Sequence, residues 1–305
     1  MQYINIGHGD LVLALVLVGI TLAVSLWQRL DLHGDLFIGT LRTFIQLTAV
    51  GYLLQVIFNL NRWYLVILAL GIMLLVAAAN AYRRQQERWP GLFFIMLLAI
   101  ALGGIITLAI VIGIVLKVKP WYQPQYIIPI AGMILGNAMI GAALAVNRLT
   151  GEIKAHRGEI EAALSLGATA YLAVLPYLRS ALRAAMLPTI STMMTVGIVQ
   201  LPGMMSGQII AGASPAAAVR YQVVVTYMVA AATALTTITA TLLAYRYYFT
   251  PSHQLKPPEQ NNKTKKQKGK PDLPRGVRGL LRRGIKGGGD AAGAKTVDSK
   301  SVKFN

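Results

Sequence analysis

Long apolar runs between Leu11 and Phe249 constrain the fold of this chain more than any other feature of its sequence. A helix needs about 20 apolar residues to cross a hydrocarbon core of roughly 30 Å, and several of the runs reach that length. Only 13% of the 305 residues are charged, whereas soluble domains have about 25%. We therefore predict an all-α integral membrane protein.

The apolar runs predict about seven transmembrane helices. We expect the first run to be a retained span, because residues 1–10 hold no Lys or Arg and no small-residue cleavage site follows the run. The chain has no cysteine, which excludes disulfides, thiolate metal sites and cysteine nucleophiles. The predicted spans are Leu11–Gln28, Leu36–Phe58, Trp63–Tyr82, Leu92–Leu116, Tyr126–Val146, Met186–Ile210 and Ala216–Tyr248.

Positive charge is distributed unequally between the two sets of connections that join these spans. Lys and Arg resist translocation, so the connections that are rich in them stay cytoplasmic. The rich set contains Arg29, Arg83, Arg84, Arg88, Arg148, Lys154, Arg157, Arg179, Arg183 and Arg246, and the poor set contains Arg62, Lys117, Lys119 and Arg220. We predict an N-terminus outside and a C-terminus in the cytoplasm.

The composition changes sharply at the end of the last apolar run. Residues 251–305 hold 14 Lys or Arg and four Asp or Glu, which supply +10 of the +18 net charge. This composition predicts a disordered cytoplasmic tail after a transmembrane domain of residues 1–250. The tail either stays solvated and fixes the topology or settles on anionic lipid, which we favour over nucleic acid as a partner.

Known catalytic motifs do not explain this sequence. Gly288–Thr296 approaches a phosphate-binding loop, but the Gly-Lys-Ser/Thr that such a loop requires is not contiguous there. The chain contains neither H-E-x-x-H nor G-x-S-x-G. We therefore expect no ATP site and no enzymatic activity in this chain.

The longest internal segment between predicted spans is the basic loop of residues 148–185. Glu159–Leu175 is favourable for helix except at Gly167, and Arg157 and Glu161 form an i,i+4 pair. This pattern predicts a short amphipathic helix, a glycine break and a second helix toward the membrane. The first helix either lies in a groove of a partner protein or rests on lipid without a partner.

Polar residues inside the predicted spans are candidates for a substrate path. Arg42 lies about two turns inside the second span with Gln46 on the same face, and it either snorkels to the interface, locks two helices or lines the path. Asn137 lies mid-span near Gly136 and Gly141, where it either bonds a neighbouring helix or lines the path.

A second group of path candidates surrounds a Pro-Gly pair in the sixth predicted span. Proline removes a backbone donor and glycine loosens the helix, so carbonyls near this pair are expected to face a cavity. Methionine thioethers in this group either contact a soft metal or pack. The members are Gln200, Pro202, Met204, Met205 and Gln208.

The polar connecting segment also carries a motif, E-A-A-x-x-x-G, formed by Glu161, Ala162, Ala163 and Gly167. It resembles the coupling-loop motif of ABC transporter permeases. A wider ordered set resembles the Fet-type iron-export permeases of bacteria and the related plant permeases of aluminium tolerance, over roughly residues 10–250. That set comprises Gly132–Met139, Ala163–Ala168, Arg183–Pro188, Val196–Gln208, Ala211–Pro215 and Tyr221–Gln222.

The resemblance implies a permease subunit in a bacterial inner membrane that exports iron or another metal species. It implies a homodimer of permeases paired with two separate ATPase subunits, into which the Glu161–Gly167 helix would dock. ATP would then be consumed by the partner, and this chain would bind no cofactor.

The residues leave the chemical form of a metal cargo and its ligands open. No Asp or Glu lies deep inside a predicted span, and His8, His33, His156 and His253 fall outside the spans, where we expect surface residues. Iron would therefore travel chelated by an anionic ligand or cross a wet path without a tight site.

Two alternatives to an ABC permease follow from the residues alone. An ion-coupled secondary carrier or channel would need no ATPase, but its usual acidic or histidine relay within the spans is missing. A membrane scaffold would instead use the basic tail to recruit lipid or nucleic acid.

Overall fold

The structure is a computed structural model that describes residues 7–28, 33–250, 252 and 254–256. The predictions for the basic tail after Lys256, the Gly288–Thr296 segment, Arg29, His253 and the side chains of His8 and His33 lie outside what is described. The helices are α1 His8–Trp27, α2 His33–Leu60, α3 Trp63–Arg83, α4 Leu92–Ile110, α5 Pro124–Ala155, α6 Arg157–Ser165, α7 Ala170–Thr195, α8 Gly203–Ile210 and α9 Pro215–Ala244. A π-helical turn, Val111–Val115, extends α4, and a 3₁₀ turn, Tyr245–Tyr248, extends α9.

Five helical segments among the described residues are long and apolar enough to cross a membrane. The all-α prediction is confirmed, since the described residues form helices and two isolated bridges. Helix α1, His8–Trp27, has 20 residues and is apolar from Leu11 onward. The five segments are Leu36–Leu60, Trp63–Arg83, Leu92–Val115, Pro124–Ala155 and Pro215–Tyr248.

The sixth predicted span, Met186–Ile210, is wrong as a single helix. Its first part is the end of α7, and its last part is the separate short helix α8. Between them, Val196 is extended and Gly197 takes a φ of +86°, a left-handed conformation that ends the helix. The helix break therefore lies before Pro202, which is the N-cap of α8.

The predicted loop of residues 148–185 is also largely helical. Helix α5 continues to Ala155, and its 32 residues give a length of about 48 Å, which exceeds a bilayer core. The short helix α6 follows at once, and α7 begins at Ala170. The prediction of a short helix, a glycine break and a second helix is confirmed, but the loop has no long irregular stretch.

Helix α5 lies at the centre of the packed helices and contacts α3, α4, α7 and α9. Half of the residues in its most apolar stretch are buried. Small residues allow the helix axes to approach closely. A Cβ added at Gly103 of α4 would lie 2.1 Å from Oγ1 of Thr236, and one at Gly141 of α5 would lie 2.6 Å from Cγ2 of Thr233. Helix α9 therefore packs through its threonines against glycines of both neighbours.

Helix α2 is packed much less than the other candidate spans. Only 6% of the residues in its most apolar stretch are buried. Helix α1 packs mainly against α2. The large apolar side chains that α2 exposes, such as Phe37, Phe44 and Leu47, are compatible with contact to lipid tails. The packed core that positions a site is therefore formed by α3, α4, α5, α7 and α9.

Candidate functional site

Two cavities lie beside α5 and α9, where α7 and α8 meet them. The larger, of about 450 Å³, is named here the Gln208 cavity, and the other, of about 330 Å³, the Asn137 cavity. Met133 of α5 and Val225 of α9 line both cavities. The loop between α7 and α8 lines the Asn137 cavity, and α8 lines the Gln208 cavity.

The Asn137 cavity brings together three of the predicted path residues. Asn137 comes from α5, and Gln200 and Pro202 come from the loop between α7 and α8. Helix α7 adds Pro188 and Thr192 to the lining. The tertiary structure thus brings together residues that the sequence analysis treated as two separate groups of candidates.

The Gln208 cavity receives two further predicted residues, Met204 and Gln208, both from α8. Gln125 and Tyr126 of α5 and Tyr221 of α9 form the polar and aromatic part of its wall. The thioether of Met204 therefore lies in a mixed wall with aromatic and aliphatic side chains, which is the environment of a packing methionine.

The remaining three path candidates line neither cavity. Arg42 and Gln46 are exposed on α2, away from the packed core. Met205 is half-buried on α8 and is in the wall of neither cavity. Arg42 is therefore not part of the wall of either cavity, and its exposed position on a lightly packed helix is compatible with snorkelling to the interface.

A polar stripe on α9 lines the Asn137 cavity and was missed by the sequence predictions. It consists of Gln222, Thr226 and Thr233, which are spaced four and seven residues apart and therefore share one helix face. The side-chain amide nitrogen of Gln222 donates to Oγ1 of Thr226 at 3.3 Å. The Thr226 hydroxyl in turn donates to the backbone carbonyl of Gln222 at 2.8 Å. The spacing of these three residues was the available signal.

Helix α6 carries the predicted coupling motif on its exposed side. Glu161 and Ala162 are exposed, Ala163 is half-buried, and Ile160 on the opposite side is fully buried. The predicted ion pair is confirmed, since the Arg157 guanidinium lies 2.7 Å from Oε1 of Glu161. The exposed face of α6 therefore carries the Arg157–Glu161 ion pair and, next to it, the small side chain of Ala162.

The turn after α6 has the conformation that the motif requires. Gly167 takes a φ of +91°, which L side chains rarely adopt. The preceding Leu166 is 90% exposed, so a large apolar side chain projects from the tip of the turn. Thr169 then caps α7 by accepting a hydrogen bond from the backbone of Leu172 at 3.4 Å.

Polar contacts join α6 to α7, and α7 to α5. The Tyr177 hydroxyl donates to Oε2 of Glu159 at 2.7 Å, and the His156 ring stacks on Tyr177 with 4.7 Å between centroids. Ser180 of α7 donates to Oε1 of Glu152 in α5 at 3.0 Å. Burial and the contact with Glu159 raise the pKa of Tyr177 to about 12, so its hydroxyl remains a donor at physiological pH.

The structure changes the prediction that His156 is a surface residue. No group of His, Asp or Glu with the arrangement of a metal site occurs in the part of the chain that is described. His156 is half-buried and stacked on Tyr177, so it is a packing residue at the base of α6.

Comparison with known proteins places residues 8–249 in the uncharacterised protein family UPF0014. The chain is 39% identical over 251 residues to the "Probable iron export permease protein FetB" of Escherichia coli, covering 82% of this chain and 95% of that protein. It is 40% identical over 252 residues to a "UPF0014 membrane protein" of Synechocystis, covering 83% of this chain and 97% of that one. No solved structure matches the chain.

A plant relative extends this similarity. The chain is 37% identical over 242 residues to "Protein ALUMINUM SENSITIVE 3" of Arabidopsis thaliana, covering 79% of this chain and 87% of that protein. The resemblance to iron-export and aluminium-tolerance permeases is confirmed, as is membrane localisation, which agrees with the five apolar helices. The chain is therefore a membrane protein that belongs to the UPF0014 family.

Proposed function

We propose that this chain is the membrane permease subunit of an ATP-driven exporter of iron or another metal species. The observation that carries the proposal is helix α6 with the turn that follows it: Glu161 and Ala162 of the helix and Leu166 of the turn are exposed outside the apolar spans. Similarity to a protein named as an iron export permease supports the substrate class. The chain carries out no covalent chemistry, and a separate ATPase subunit hydrolyses ATP.

The arrangement of α6 suits the transmission of force from a partner. The helix ends at Ser165, and a short turn with a left-handed Gly167 connects it to α7 at Ala170. Helix α7 runs on to Pro188 and Thr192, which line the Asn137 cavity. A movement of α6 driven by ATP would therefore reach the cavity through one continuous helix, as alternating access requires.

The complete transporter has two permeases and two ATPases in this proposal, and the membrane is the bacterial inner membrane. The Lys and Arg distribution supports a cytoplasmic α6 and C-terminus. An ion-coupled carrier is the weaker candidate, because the residues that line the two cavities include no Asp, Glu or His.

The test is purification of the tagged full-length chain from its own membranes in mild detergent. We expect an ATP-hydrolysing subunit to accompany the wild type and to be lost with Glu161→Lys. Glu87→Lys is the matched control, because it makes the same change of charge at an exposed site outside α6. Glu87 also forms an ion pair, with Lys154, as Glu161 does with Arg157.

A charge-swapped variant separates docking from the local ion pair. Arg157→Glu combined with Glu161→Arg can re-form the pair with reversed charges, so a stable α6 that still loses the ATPase supports docking through Glu161. A chain that is purified alone in every preparation and moves metal into vesicles without ATP would overturn the proposal.

A further inference from the structure

The chain folds back on itself after the end of α9. The Thr250 amide donates to the Gln254 carbonyl at 2.8 Å, and the Lys256 amide donates to the Tyr248 carbonyl at 2.9 Å. These two backbone bonds hold the returning segment against the end of α9. The residues that form this fold-back are named here the C-terminal clasp, and they are residues 248–250 and 254–256.

Apolar and polar contacts anchor the C-terminal clasp to the packed helices. Phe249 and Leu255 form an antiparallel bridge. Phe249 is 6% exposed, and Leu255 packs against the apolar cluster to which Phe249 belongs. That cluster also contains Ile160, the fully buried residue of α6. The Tyr248 hydroxyl lies 2.7 Å from the Thr150 hydroxyl of α5. The clasp is therefore part of the packed structure.

Lys256 connects the C-terminal clasp to α6 through its backbone. Its carbonyl accepts a 2.9 Å hydrogen bond from Nη1 of Arg157, the first residue of α6. The other terminal nitrogen of Arg157, Nη2, lies 2.7 Å from Oε1 of Glu161. The planar guanidinium thus uses its two terminal nitrogens for two different partners, an arrangement that a lysine ammonium does not reproduce.

This contact gives α6 a connection to α9 that the path of the chain does not provide. Helix α6 follows α5 directly and is joined to α7 by a short turn, so both of these neighbours are linked to it covalently. Helix α9 is linked to it through Arg157 and the backbone of Lys256. Both α7 and α9 contribute residues to the wall of the Asn137 cavity.

We propose that Arg157 is a positioning residue that, through the C-terminal clasp, connects α6 to α9. A movement of α6 then reaches both the α7 wall and the α9 wall of the Asn137 cavity. This inference rests on the proposed function, since it takes α6 as the helix that the ATPase moves. Loss of the connection should leave docking through Glu161 intact and weaken the transmission of movement to the cavity.

Two substitutions interrupt this connection at its two ends. Lys256→Pro removes the amide hydrogen that the Tyr248 carbonyl accepts. Arg157→Lys removes the guanidinium that donates to Lys256 but keeps a positive charge for Glu161. Hydrogen exchange of the α6 amides is measured on the full chain in nanodiscs, without ATP or the partner. We expect about fivefold faster exchange in each variant, with α4 unchanged.

The double variant tests whether the two residues act through one connection. Because either substitution alone interrupts it, the double variant should exchange little faster than the faster single variant. Effects that multiply would indicate two independent contacts and would overturn the inference. Arg148→Lys is the matched control for Arg157→Lys, since Arg148 forms the same kind of i,i+4 ion pair with Glu152.

A second comparison separates the backbone of Lys256 from its side chain. The Lys256 ammonium lies 4.8 Å from the centre of the Tyr247 ring. Lys256→Ala removes this contact and keeps both backbone hydrogen bonds. Its α6 exchange should therefore remain clearly slower than that of Lys256→Pro. Equal exchange in the two variants would assign the effect to the ammonium and would overturn the inference.

Transport with the partner supplies a readout that a purely structural role would not change. The ATPase should still accompany Lys256→Pro and Arg157→Lys, because Glu161 is retained, while the metal transported per ATP hydrolysed should fall several-fold. An unchanged ratio would overturn the positioning role, and so would loss of the ATPase from both variants, which would indicate docking instead. A wild type that never associates with an ATPase would refute the proposed function, whereas the exchange measurements would still decide whether the clasp holds α6.

Discussion

The hydroxyl of Tyr177 in α7 donates a 2.7 Å hydrogen bond to the carboxylate of Glu159 in α6. This contact crosses the glycine turn and joins the exposed helix to the helix that leads to the cavities. It is reinforced by the His156 ring, which stacks on Tyr177. In the proposed transporter, this pair makes α6 and α7 move together.

Tyr177→Phe should therefore loosen α6 without unfolding the packed helices. The loss of one partly exposed hydrogen bond to a carboxylate is worth about 1 kcal/mol. We expect hydrogen exchange of the α6 amides to become about fivefold faster, with α5 and α9 unchanged. Equal acceleration throughout the protein would indicate a global loss of stability instead.

The same pair predicts a pH dependence with a definite sign. The pKa of Tyr177 is raised to about 12 from an unfolded value of about 10. The stabilisation is therefore complete below about pH 10 and is lost as the pH rises from 10 to 12. The exchange difference between the wild type and Tyr177→Phe should be constant from pH 7 to 9. A difference that shrinks in that interval would contradict the assignment.

Gly167→Val should strain the turn between α6 and α7. Gly167 has a φ of +91°, where a residue with a Cβ costs about 1–2 kcal/mol. We expect ATP-dependent transport to fall several-fold while the protein remains folded in detergent. Gly151→Val is the matched control, because Gly151 lies within α5 and a Cβ there meets nothing within 4 Å.

Gly103→Ala should destabilise the contact between α4 and α9. The added Cβ would lie 2.1 Å from Oγ1 of Thr236 and 2.9 Å from its backbone nitrogen, so a rotamer change alone does not relieve the clash. We expect a loss of about 1–3 kcal/mol, measured as a lower midpoint of thermal unfolding in detergent. Gly71→Ala, with open space around its Cβ, should be neutral or slightly stabilising.

Trp89→Ala should remove an anchor of the last helix. Trp89 is 5% exposed and stacks on Tyr247 with 4.6 Å between ring centroids. Truncation of a buried tryptophan costs about 3–5 kcal/mol, so the unfolding midpoint should fall markedly. Trp27→Ala provides the comparison, since Trp27 is 81% exposed. Similar midpoints for the two variants would refute the anchoring role.

Much of the architecture was predictable from local pattern. The apolar runs identified the five candidate spans to within a few residues on most ends, because span length depends only on bilayer thickness and helix rise. The Arg157–Glu161 pair and the break at Gly167 were also predictable. Both depend on spacing along a single helix and on the backbone preference of one residue.

The sixth span shows where local pattern fails. Residues 186–210 read as one apolar run, yet the left-handed Gly197 and the N-cap Pro202 divide it into α7 and α8. Hydropathy averages over such positions, and a Gly or a Pro is tolerated inside many membrane helices. In the structure, α7 and α8 each pack against α9 as separate helices.

By itself, the sequence determined that this chain is a helical membrane protein with a short helix before Gly167 and a strongly basic segment after residue 250. Those properties follow from composition and short-range spacing. Only the tertiary structure decided that Asn137, Gln200 and Pro202 share one cavity with Gln222 and Thr233, and that Arg42 does not. Such a site is formed by packing between distant helices, and no spacing within one segment encodes it.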